Sequence, residues 1–120
     1  ITTLDILPGC GLMCPPIVNK LCGDSMNFDF SQYHPIDCWF IDGEHDYTHA
    51  YKETTEALKS GAKYIIYHDA DLENVKSGLL DAFKNTNQST NYDIYQVINP
   101  PFIYSSTKNN VTRIAYAIKK

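Results

Sequence analysis

A chain of 120 residues fits one compact domain and leaves no room for two, so a single domain over residues 1–120 is expected. Hydrophobic residues make up 43% and charged residues 20%, a globular balance rather than a disordered one. The net charge is -4 with both signs interspersed, which argues against a nucleic-acid partner held through phosphates, and no apolar run reaches the roughly 18 residues that span a bilayer.

Residues 1–7 (ITTLDIL) form a β-rich run closed by the turn signal Pro8-Gly9. Ile1 opens directly into this run, so no signal peptide is expected, and the lack of an initiator methionine suggests a start inside a longer product. Residues 10–16 read as a loop broken at Pro15-Pro16, and 18–23 as a second strand before the polar stretch 24–34. Residues 36–41 (IDCWFI) are continuous enough in apolar character to be buried on both faces of a sheet.

After Asp42-Gly43-Glu44-His45-Asp46 the pattern changes to a helix. Tyr47, Ala50, Tyr51, Thr54, Ala57 and Leu58 recur on one face, with Lys52, Glu53, Glu56 and Lys59 pointing away from it. Asp46 supplies an N-cap and Gly61 a stop. Residues 63–67 (KYIIY) make the next buried strand, ending at His68-Asp69-Ala70-Asp71. Asp71 is placed to cap a second helix whose apolar face is Val75, Leu79, Ala82 and Phe83. Beyond a connector at 85–91 come a strand over 92–98, a break at Pro100-Pro101, a turn at 108–110 and a last strand over 112–118. That strand sets Ile114, Tyr116 and Ile118 on one face.

Alternating strands and helices ending in two strands imply an α/β fold, an open, mostly parallel sheet with an antiparallel carboxyl-terminal strand. Ligands in such sheets sit beyond the carboxyl ends of the strands, where this chain carries Asp5, Asp24, the 42–46 cluster and His68-Asp69. His45 and His68 flank strand ends; His34 and His49 read as surface residues, and Glu44 and Asp46 as a solvated helix start. Cys10 and Cys14 are spaced C-x3-C without a second pair, unlike a zinc ribbon, and Cys38 falls within a strand. Together with Cys22 they read as reduced structural thiols of a cytoplasmic protein.

The phrase C-W-F-I-D-G-E-H-D-Y from Cys38 to Tyr47, then a helix, then G-A-K-Y-I-I-Y-H-D from Gly61 to Asp69, carries a resemblance. It is similar to the class I S-adenosylmethionine-dependent methyltransferases whose fourth strand ends in F-I-D-G-x-H-x-Y and whose fifth ends in H-D or D-D. Cys22-Gly-Asp-Ser25, with Phe28 and Phe30 beyond it, resembles that family's third-strand element, and Thr3-Leu-Asp-Ile6 its acidic second-strand end. The resemblance spans residues 2–83 and implies a Rossmann-like fold, S-adenosylmethionine as cofactor, and methyl transfer to a small-molecule or sugar hydroxyl.

Residue by residue, the resemblance implies that Asp5 accepts hydrogen bonds from the cofactor ribose, and that Asp24, with Ser25 and Met26, flanks the adenine. Asp42 would lie by the methionine moiety or a metal, and His45 would deprotonate the acceptor hydroxyl. Asp42 and Asp69 match the carboxylates that bind magnesium in metal-dependent relatives, although Ala70 stands where those relatives often carry a further oxygen ligand.

The family's first strand ends in a glycine-rich loop. If Asp5 ends the second strand, both are missing, and the Rossmann-like fold is expected to be N-terminally truncated. A gap would then be left in the sheet, to be closed by a strand from elsewhere, by rearrangement or by homo-oligomerisation. A rival alignment reads L-D-I-L-P-G-C-G from Leu4 to Gly11 as the loop itself, but the 37 residues from Asp5 to Asp42 are too few for two further strands and their helices. The missing loop also raises a second functional expectation, a non-catalytic module of the same fold that binds a partner. A nucleotide-sugar enzyme would need phosphate-binding glycines or arginines, and the chain's single arginine, Arg113, is on the last strand.

Overall fold

The computed structural model describes residues 1–7, 15–98 and 111–120. Cys10, Cys14, the Pro8-Gly9 turn, the Pro100-Pro101 break and the turn at 108–110 lie outside them. β1 (Thr2–Asp5) pairs in parallel with β2 (Asn19–Cys22), placing Asp5 opposite Cys22. β3 (Cys38–Ile41), β4 (Tyr64–Tyr67), β5 (Tyr92–Ile98) and β6 (Val111–Lys119) form a second sheet in the order β3-β4-β6-β5. Between these strands the chain inserts α1 (Tyr47–Lys59) and α2 (Glu73–Asn85).

The expected architecture is therefore corrected. A Rossmann-like, mostly parallel open sheet does not form: β3 and β4 are parallel, whereas β4–β6 and β6–β5 are antiparallel. β1 and β2 remain a separate pair, because among the described residues no strand stands between them and β3 to carry the ladder across. β6, nine residues long, reaches along both β4 and β5 and so turns this part of the fold into a mixed sheet.

The helices cover one face of that sheet. Ile65 and Tyr67 on β4 and Ala115 and Ala117 on β6 are buried on it, together with Ile41 at the end of β3. The next residues along each strand turn the other way. Phe40 is 60% exposed and Tyr64 50%, and Cys38 is exposed too, so the expectation that both runs are buried on two faces fails for want of a second covering layer. Ile114, Tyr116 and Ile118 do share one face, and it is the open one. With Cys38, Tyr64 and Ile66 they line a shallow apolar hollow of about 310 Å³, and Tyr95 stacks on Tyr116 with ring centres 5.1 Å apart.

α1 begins as expected, with the Asp46 carboxylate accepting the His49 backbone N–H at 2.9 Å. α2 does not: its cap position is Leu72, without a side-chain hydrogen bond, so Asp71 has no capping role. Glu53 and Glu56 also depart from expectation, since both are buried. Lys52 and Lys59 hold Glu56 at 3.1 and 2.9 Å, while Glu53 lies beneath the loop that follows β3. The helix is thus covered on a side that its apolar stripe does not announce.

Two seams hold these parts together. Phe28 sits 4.9 Å from Phe30, and Phe30 5.0 Å from Trp39, which links the loop after β2 to β3. Trp39 Nε1 donates to Ser60 Oγ at 2.9 Å, tying β3 to the end of α1. At the helix–helix seam Gly78 lets α2 approach closely, because a Cβ there would stand 2.6 Å from the Tyr47 carbonyl oxygen and 3.0 Å from Ala50 Cβ. The Tyr47 hydroxyl donates to Asp81 at the same seam, at 3.0 Å. No helix among the described residues is long and apolar enough to cross a membrane.

Helix propensity alone favours alanine over glycine by about 1 kcal/mol. At position 78 the carbonyl at 2.6 Å reverses that preference, since overpacking against backbone costs about 1–3 kcal/mol. Gly78→Ala is expected to lower the unfolding free energy in urea titrations; an increase would mean that the helices can slide apart at no cost.

Candidate functional site

The parallel pairing of β3 with β4 ends with Ile41 beside Tyr67, so Asp42 and His68 leave the sheet side by side. The His68 N–H donates back to the Ile41 carbonyl at 2.9 Å. Antiparallel pairing of β4 with β6 sets Tyr67 opposite Ala115, and the Ala70 N–H reaches the Arg113 carbonyl at 2.8 Å, which brings Arg113 to the same end. Asp69 has φ 51°, a left-handed conformation that aspartate tolerates better than most residues.

That turn places a carboxylate with 3% side-chain exposure at the centre of the cluster. One oxygen, Oδ1, accepts from Arg113 at 3.0 Å. The other, Oδ2, lies 2.8 Å from His45 Nε2 and 2.6 Å from His68 Nδ1. His68 Nδ1 is also 3.2 Å from Asp42 Oδ1. A carboxylate can only accept here, so His45 donates from Nε2. His45 is half exposed.

Burial pushes the Asp69 carboxyl up, but the His68 hydrogen bond and the charges of His45, His68 and Arg113 outweigh it and hold the group below the usual carboxylate range. Glu53 has the opposite balance. Burial raises its carboxyl, the Ser25 hydroxyl bond at 2.7 Å and His49 oppose the rise, and Asp46 and Asp24 add to it. Gly43 is what makes room for it: a Cβ at that position would stand 2.5 Å from Glu53 Oε1.

Of the residues singled out in the sequence, Asp42, His45 and Asp69 come together. The others are engaged locally. Asp5 accepts the Leu7 N–H at 2.9 Å, and Asp24 accepts the Met26 N–H at 2.9 Å and the Asn27 side-chain amide at 2.8 Å. Ser25 is spent on Glu53. The parallel β1–β2 pairing sets Asp5 beside Cys22, two residues before Asp24.

Asp42, His68 and Asp69 each offer one ligand-type atom, and those atoms lie within 4.8 Å of one another. Two oxygens and an imidazole nitrogen are a donor set that fits a divalent cation. His68 joins the carboxylates that the sequence proposed, and its signal was its place at the end of β4. Arg113 and Glu53 were missed: one reaches the site only through long-range register, the other through burial of an outward helix position.

Two predictions follow from the carboxylates. Asp69, held low in the folded state, contributes stability above its unfolded pKa of about 3.9, and loses it as pH falls through the lower folded value. Asp69→Asn is expected to cost about 1–3 kcal/mol in urea titrations at neutral pH and to converge with the wild type in strong acid; a constant difference would refute the linkage. Glu53, held high, favours the fold below its unfolded pKa and loses that contribution as pH rises through the raised value. Glu53→Gln keeps an acceptor for Ser25 and should gain on the wild type as pH rises from 4.5 through the raised value. A variant that loses ground over that interval would show that the charge itself is needed.

No protein family, curated protein or solved structure matches the chain.

Proposed function

We propose that the chain transfers a methyl group from S-adenosylmethionine to the hydroxyl of a small molecule, with His45 as the general base. The observation that carries this reading is the Asp69–His45 pair, a buried carboxylate holding Nε2 of a half-exposed imidazole at 2.8 Å. The F-I-D-G-E-H-D-Y phrase supports it from the sequence side.

Asp69 orients the imidazole, and its negative charge stabilises the imidazolium that forms when Nδ1 takes the proton of the acceptor hydroxyl. Arg113 neutralises the far oxygen of Asp69, so that the carboxylate remains ionised while buried. Asp5 and Asp24 are the residues proposed to bind the ribose hydroxyls and the adenine amine, with Ser25 and Met26 beside them and Asp42 toward the methionine end. Bound S-adenosylmethionine would supply an electrophilic methyl group. A divalent cation held by Asp42, His68 and Asp69 would lower the pKa of the acceptor hydroxyl. The same proposal carries a cytoplasmic setting, no nucleic-acid partner, and a homo-oligomer as one way to cover what the chain leaves open.

The open apolar face of the second sheet favours one other reading, a non-catalytic module that binds a partner there. Calorimetric titration with S-adenosylhomocysteine separates the two. Saturable binding that Asp5→Ala weakens at least about tenfold, about 1.4 kcal/mol, supports methyl transfer. No binding supports the module. Given a methyl acceptor, His45→Ala is expected to lower kcat by about 10²–10⁴-fold with cofactor affinity unchanged; full activity in that variant would remove the base.

A further inference from the structure

His68 gives the proposed cation site a character that two aspartates alone would not. Its Nδ1 stands between two carboxylate oxygens, 2.6 Å from Asp69 and 3.2 Å from Asp42. In the absence of a cation the position between these carboxylates is filled by a hydrogen on nitrogen. Ligand atoms held about 2.1 Å from one ion at roughly right angles stand about 3 Å apart, so the two contacts of Nδ1 are close to the spacing of neighbouring ligands. Two further groups hold Asp69 from behind: Arg113 takes the opposite oxygen, and His45 shares Oδ2. Such outer contacts fix a ligand's orientation before an ion arrives.

We propose that His68 is a metal ligand and that Asp42, His68 and Asp69 select a borderline first-row ion of the zinc, cobalt or nickel type over magnesium. Imidazole suits those ions, whereas magnesium prefers an all-oxygen octahedron and gives up its waters reluctantly. The ion takes the place of the hydrogen on His68 Nδ1, and the neutral ring then carries its hydrogen on Nε2. This inference rests on the cation site of the proposed function but not on methyl transfer.

The test is titration of chelator-treated protein with Co(II), Zn(II) and Mg(II), followed by calorimetry and by the visible absorption of Co(II). The expected result is a 1:1 complex with Co(II) ligand-field bands, and Zn(II) binding at least about 100-fold tighter than Mg(II). His68→Asp, which replaces nitrogen by oxygen, is expected to narrow that ratio at least tenfold and to shift the Co(II) bands toward the weak absorption of an all-oxygen site. Equal affinity for Mg(II) and Zn(II), a strong near-ultraviolet thiolate band, or a zinc preference that survives His68→Asp each overturns the proposal. Should the variant fail to fold, proton NMR of the wild type decides: Co(II) should shift the His68 ring resonances and leave those of His34 in place. Magnesium binding without zinc preference would overturn this inference and leave the proposed function standing. Failure to bind S-adenosylhomocysteine would do the reverse.

Discussion

The end of the mixed sheet is organised by one buried carboxylate that must stay charged. Asp69 is nearly inaccessible, and an isolated ion in that position would be costly enough to protonate instead. It does not have to, because three nitrogens converge on its two oxygens. Each comes from a different element: His45 from the loop after β3, His68 from the end of β4 and Arg113 from β6. Satisfying one side chain thus fixes the relative position of three chain segments.

A second constraint acts beneath the same loop. Glu53 occupies the space that a side chain at position 43 would need, so the backbone after β3 lies flat on α1. Ser25 meets Glu53 from the other side, which anchors the loop after β2 to the same helix. The two sheets share no hydrogen-bond ladder among the described residues, yet they are joined here and through the Phe28–Phe30–Trp39 chain. α1 therefore does more than cover the sheet; it is the surface on which the loops of both sheets rest.

Much of this could be read from the residue pattern, and the omissions share a cause. The Tyr47 helix, its Asp46 cap and the strand ends carrying Asp42 and Asp69 were legible because local periodicity and capping chemistry decide them. The sheet as a whole was not. Whether β4 takes a parallel or an antiparallel neighbour on its second edge depends on where β6 returns, a long-range matter that no local pattern encodes. Arg113 went unassigned for the same reason. Cys38 and Phe40 misled because a continuous apolar run looks alike whether one or two layers cover it. Asp24 had a detectable local use, since aspartate readily accepts from the backbone two residues on, and the Met26 N–H is such a donor.

The aromatic link between the sheets also carries the only tryptophan in the chain, Trp39. Its ring is packed against Phe30 on one side, and its indole N–H is engaged by Ser60 at the end of α1. Native tryptophan emission from this protein consequently originates at a single seam, where β3, α1 and the loop after β2 meet. Loosening of that seam would alter the tryptophan spectrum, whereas β5 and β6 at the far end of the sheet carry tyrosines but no tryptophan. The molecule comes with its own fluorophore at the joint between its parts, so unfolding followed by emission and by backbone dichroism need not coincide.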